Sequence, residues 1–210
     1  MTFMKHLLTA CAAIVLAATS LSAQKVELNA FANYMFGASN DYYYNNYNGN
    51  LYIEPSIVYG GAIDVDLRNN MMLELQYAFQ PTTVRIEGYA GSPSDNGSEI
   101  NNHFIQIGGL YHKDVNDKVT MFGGLLFGME IFAPANQAYD SETRFLGSLT
   151  GGAKIWLNDK IGLRLNANLN MPMIFSGAGF YLGTGGSGYG VSTVIQLFQF
   201  SLGGGLVFKL

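Results

Sequence analysis

Charge is scarce in this chain. Lys, Arg, Asp and Glu make up 12% of its 210 residues, about half the share usual in a soluble domain. That is too little to cover a water-facing surface. The 11 basic and 15 acidic residues nearly balance, and no basic patch points to nucleic acid. Long apolar runs are also missing: beyond the N-terminal segment there is no stretch of about 18 apolar residues, which excludes a bundle of membrane-spanning helices. The single cysteine, Cys11, lies in that N-terminal segment. Beyond it the chain has neither disulfide nor thiol chemistry. His103 and His112 stand apart without Cys partners, so neither a metal site nor any other cofactor is expected.

What is present begins with the layout of an export signal. Lys5 and His6 precede an apolar stretch from Leu7 to Ala18, and Leu21-Ser22-Ala23 forms a small-residue exit. The expectation is a cleaved signal peptide over residues 1–23 and one domain over residues 24–210. Leu8-Thr9-Ala10-Cys11 also resembles a lipoprotein signal. The apolar run continues well past Cys11, however, which suits an ordinary signal better.

From Lys25 onward the dominant hydrophobic period is two, the period of a strand. In 161–173, Ile161, Leu163, Leu165, Ala167, Leu169, Met171 and Met173 fall on one face. Arg164, Asn166, Asn168 and Asn170 fall on the other. The chain divides into eight such segments, near 26–36, 51–67, 71–80, 102–112, 119–132, 144–157, 161–174 and 192–210. Short connections (68–70, 113–118, 158–160) alternate with long ones (37–50, 81–101, 133–143, 175–191). Three short turns and four long loops join eight strands in an all-β, antiparallel, up-and-down transmembrane β-barrel with both ends on the short-turn side. A soluble barrel would hide its apolar face and show charge. Here one face of each strand is almost free of charge, which is the membrane arrangement.

Strand phase then predicts the interior. Glu27, Asp64, Asp66 and Glu74 as acids, with Lys154, Arg164 and Lys209 as bases, are expected near the short-turn end. Glu54, Glu130 and Arg144 are expected higher up, with asparagines and glutamines between. Eight strands enclose a space that side chains alone fill. Opposite charges converging there predict a plug of ionic and hydrogen-bonded groups rather than an open channel.

No catalytic set emerges. A lipid A deacylase would need His-x-Ser on a lipid-facing strand, but His103 is followed by Phe104-Ile105; a palmitoyltransferase-like site could use only His103 with loop residues such as Ser98 or Asp140. The glycine-rich tract 183–190 lacks the lysine and the following helix of a phosphate loop. The aromatics carry more meaning: Tyr42, Tyr43, Tyr44, Tyr47, Tyr181 and Tyr189 fall in the long loops. The bland reading is an interfacial belt, the sharper one a contact surface for an external ligand.

The last segment, 198–210, puts Phe198, Phe200, Leu202, Leu206, Phe208 and Leu210 on one face. It resembles the C-terminal insertion signal of the outer membrane protein β-barrel domain, the OmpX and OmpA type, with Phe208 and Leu210 as its key residues. Leu210 stands where the family more usually has Phe. The resemblance implies a location in the outer membrane among its lipids, passage with periplasmic chaperones and insertion by the barrel assembly machinery. The expected function is a non-enzymatic scaffold for envelope integrity or surface-loop interaction. The alternatives are a narrow pore or small-molecule transport barrel and, behind it, a lipid-modifying enzyme.

Overall fold

The computed structural model describes residues 25–44, 47–88, 95–135, 141–175, 194–196 and 198–210. The expected signal peptide and the loop residues Tyr181 and Tyr189 lie outside them. The strands are β1 (Val26–Met35), β2 (Ala38–Tyr44), β3 (Tyr47–Ile53), β4 (Ser56–Arg68), β5 (Met71–Gly88), β6 (Asp95–Asn116), β7 (Val119–Pro134), β8 (Glu142–Trp156), β9 (Ile161–Phe175), β10 (Val194–Gln196) and β11 (Gln199–Lys209). Eight of these close a ring in the order β1-β4-β5-β6-β7-β8-β9-β11, and β11 pairs back onto β1. Every pairing in the ring is antiparallel. The protein is an all-β, eight-stranded barrel of the transmembrane type.

The two faces of each stave separate by period. Along β9, Leu163 and Leu165 are exposed on the outside, while Arg164, Asn166, Asn168 and Asn170 are buried inside. The outward positions of β7 read Met121, Gly123, Leu125, Phe127, Met129 and Ile131. Phe200, Leu202, Leu206 and Phe208 continue the apolar exterior on β11. Such a surface is stable only against lipid.

Three tight turns sit at one end of the ring. In the β4–β5 turn Arg68, Asn69 and Asn70 all have positive φ, at 77°, 53° and 63°. Asn tolerates this backbone; Arg does not do so readily. The other two turns use one device twice, because both read Asn-Asp-Lys. Asn116 Oδ1 accepts from the N–H groups of Lys118 and Val119, and Asn158 Oδ1 accepts from those of Lys160 and Ile161. The asparagine side chain thereby satisfies the reversing backbone locally.

At the opposite, loop end the structure corrects two expected loops. Within 37–50, β2 and β3 form a hairpin, and β3 pairs with the upper part of β5 from Gly49↔Gly88 to Ile53↔Val84. Within 81–101, β5 runs on to Gly88 and β6 starts at Asp95, with Pro81 opposite Asn101. The reason is legible in 82–86, Thr-Thr-Val-Arg-Ile, whose β-branched residues suit an extended ladder. A four-strand apron, β2-β3-β5-β6, thus rises above the ring.

Inside, two glycines make room for rings. A Cβ on Gly60 would lie 2.3 Å from the Phe31 ring, and one on Gly152 would lie 2.9 Å from the Phe122 ring. These absences let two aromatic side chains turn inward.

Candidate functional site

The lumen carries the chain's chemistry. At the turn end β1, β4 and β5 form an acidic wall, because Glu27 stands opposite Asp64 and Asp64 opposite Glu74 in the ladder. Across the lumen β8 and β9 place Lys154 opposite Arg164, a basic wall. Each wall alone would be destabilised by like charges side by side. Facing one another, they interlock. Lys154 Nζ donates to Asp64 Oδ2 at 2.7 Å and to Glu27 Oε2. Arg164 Nη2 donates to Glu74 Oε2 at 2.6 Å, and its Nη1 lies 3.4 Å from Asp64 Oδ2. Four cation–carboxylate contacts thus offset the like-charge neighbours within each wall, which is why neither wall is tolerable without the other. Phe122 supports both cations, with the Arg164 guanidinium 4.5 Å and Lys154 Nζ 5.5 Å from its ring centroid.

Below this layer the turn-end mouth is capped. Trp156 Nε1 donates to Thr120 Oγ1 at 3.2 Å, Thr120 in turn donates to Asp114, and Lys209 Nζ lies 3.3 Å from the Trp156 ring centroid. A cavity of about 70 Å³, lined by Glu27, Asp66 and His112 among others, separates cap from ionic layer.

Above it runs an amide and hydroxyl ladder. Gln106 donates to Ser148 at 2.6 Å, Ser148 to Asn170 at 2.7 Å and Thr150 to Asn168 at 2.6 Å. Higher still, Phe31, Met35, Val58, Ala62, Ala78, Phe104 and Leu146 pack into a buried apolar belt across the lumen. A second apolar cluster, Met72, Leu110, Phe122 and Leu126, lies beside the ionic layer. The sequence reading overlooked both. Their signal was present: Phe31 shares its phase with Asn29 and Asn33, and Phe104 with Asn102 and Gln106.

Of the ten charged residues expected in the lumen, Glu27, Asp64, Glu74, Lys154 and Arg164 meet. The other five take different places. Asp66 accepts from the Arg68 N–H in the turn at 3.0 Å. Lys209 covers Trp156. Glu54 sits at the loop-end rim, half exposed, 3.6 Å from Arg85. Arg144 is bidentate to Glu142, at 3.0 and 2.7 Å. Beyond the apolar band, this pairing holds the Glu142 carboxyl below the usual carboxylate range. Glu130 is fully buried and has no hydrogen-bond partner among the described residues.

These features were compared with known proteins. No family model matches the chain, and no curated protein matches it in sequence. Solved structures do. The Neisserial surface protein A, NspA, aligns with a TM-score of 0.53 and 13% identity over 88% of this chain and 97% of that one. OprG from Pseudomonas aeruginosa aligns at 0.56 and 12%, over 89% and 95%. The N-terminal β-barrel domain of P. aeruginosa OprF aligns at 0.50 and 12%, over 89% and 97%. The fold is that of the small outer-membrane β-barrels.

On this barrel His103 faces outward, its Nδ1 2.9 Å from the Tyr77 hydroxyl and its ring between Tyr77 and Phe79. The backbone places Tyr42, Tyr43 and Tyr44 on β2 and Tyr47 on β3, on the apron, with Tyr44 opposite Tyr47. Phe208 lies exposed on the outer face of β11, and the Leu210 N–H donates to Val26 O at 3.0 Å.

Proposed function

We propose that the chain is a non-enzymatic outer-membrane scaffold: a barrel whose lumen is plugged and whose loop-end apron serves envelope integrity or surface interaction. The observation that carries the reading is the layered filling of the lumen. An ion wishing to cross meets the interlocked Lys154, Arg164, Asp64 and Glu74, then the belt of Phe104 and Leu146. Charged side chains in a space that side chains alone can fill do not rearrange cheaply. In this reading the three tight turns face the periplasm, where chaperones and the barrel assembly machinery receive the chain, and Phe208 and Leu210 belong to its insertion signal. The apron faces outward and offers Tyr42, Tyr43, Tyr44 and Tyr47 to an external ligand.

The test is planar-bilayer recording on the refolded protein, together with heat-dependent gel migration. The expected result is a heat-modifiable species without stepwise conductance. Steady, sizeable openings from the wild-type protein would replace the plug with a pore.

A further inference from the structure

The loop-end half of the lumen seals in a carboxylate with nothing bonded to it. Glu130 on β7 is 0% exposed, and both its oxygens lack a partner among the described residues. Arg144 stands directly opposite on β8, yet its guanidinium turns to the rim, where it grips Glu142 and lies 4.3 Å from the Phe132 ring centroid. On the other flank β6 brings Asn102, diagonal to Glu130, since Phe104 faces Glu130 and Asn102 faces Phe132. The orientation of the Asn102 amide is set by its neighbours. Its Nδ2 donates to Gln80 Oε1 at 3.2 Å, and Gln80 Nε2 donates to Ser56 Oγ at 2.9 Å. Asn102 Oδ1 is thereby left without a partner. Gln199 enters from β11, two residues toward the loop end from Ser201, which faces Met35 and, through it, Ser56. It is 1% exposed, with both amide atoms unpartnered.

A carboxyl buried without a partner either keeps its proton or coordinates a cation, because the bare ionised form is strongly unfavourable there. We propose that Glu130 is the charged ligand of a cation site in the loop-end lumen, with Asn102 Oδ1 and Gln199 Oε1 as neutral ligands. Among the described residues no three of His, Cys, Asp and Glu cluster. The donors are all oxygen, which selects a hard ion such as calcium over a transition metal. One carboxylate among neutral oxygens makes a weak site, with a dissociation constant on the order of 10⁻⁴ to 10⁻³ M, as in extracellular modules. Glu142 has a part in this arrangement: by holding Arg144 at the rim it keeps the guanidinium from bonding to Glu130 and leaves only a longer-range attraction between them. Phe104, the direct ladder neighbour of Glu130, belongs to the apolar belt, so the site borders apolar side chains.

The experiment is calorimetric titration of calcium chloride into the refolded chain in zwitterionic micelles, with folding of each variant checked by heat-dependent gel migration. Wild type is expected to take up one ion. Glu130→Gln should lower the affinity by about tenfold or more. Arg144→Gln, which removes the competitor, should bind several-fold more tightly. Glu142→Gln, which frees Arg144 to swing inward, should bind several-fold more weakly. Wild-type-like titration of Glu130→Gln would assign the calcium to exposed carboxylates and overturn the proposal, as would no uptake by wild type up to about 10 mM. Should Glu130→Gln not fold, unchanged affinity in both the Arg144 and Glu142 variants overturns it equally.

Discussion

At the turn end of the lumen three carboxylates and two cations lock together, whereas at the loop end Glu130 is buried among amides with its nearest cation turned away. Both halves bury carboxyl groups inside the same closed ring of strands. The difference lies in which strands carry the opposite sign. Acids on β1, β4 and β5 face bases on β8 and β9 across the barrel, so each charge meets its complement without competing for water. At the loop end Arg144 sits on the strand next to Glu130, close to the rim, where a half-exposed partner is available. An acid can therefore be equally buried in both halves and yet stabilise one and burden the other.

The largest expected effect comes from breaking the interlocked half. Arg164→Ala leaves Asp64 and Glu74 buried with one cation fewer and should cost about 3–5 kcal/mol. Urea unfolding from lipid vesicles, followed by the fluorescence of Trp156, measures it. Exchanging the whole pair, Arg164→Met with Glu74→Gln, should cost clearly less than Arg164→Ala alone, because no charge is then orphaned.

The sharpest version of the comparison uses one substitution in two places. Glu74→Gln removes the acceptor of Arg164 and should destabilise by about 2–3 kcal/mol. Glu130→Gln, measured without divalent cations, removes a carboxyl that has no hydrogen-bond partner among the described residues and should change stability by less than about 1 kcal/mol. Equal and same-signed shifts in the same urea assay would show that the two halves do not differ electrostatically.

The smallest effect is expected at the turn that joins two strands of the acidic wall. Arg68 holds φ 77°, a conformation that costs an L-residue about 1 kcal/mol and glycine little. Arg68→Gly should raise stability by about that amount and leave the ionic layer unchanged.

Much of this architecture was legible in the residues alone. Alternation along 161–173 separates an apolar outside from a polar inside because a strand turns successive side chains to opposite faces. Short turns of Asn-Asp-Lys and long polar loops set the up-and-down order for the same local reason, and phase put Glu27, Asp64, Glu74, Lys154 and Arg164 indoors. Phase could not say which of them touch. That depends on how the ladders stagger around a closed ring, which sets the acidic wall of β1, β4 and β5 opposite β8 and β9. Phase also puts Phe31, Phe104 and Leu146 on the inner face with the asparagines and glutamines, but a binary apolar-out rule assigns such side chains to lipid and so misses the belt they form. The inward place of the Phe31 and Phe122 rings depends on Gly60 and Gly152 on neighbouring strands, which leave volume inside. The sequence by itself determined the barrel and its two faces, because those follow from period and local turn chemistry. Only the tertiary structure decided which buried charges find partners, because that depends on contacts among strands far apart in the chain.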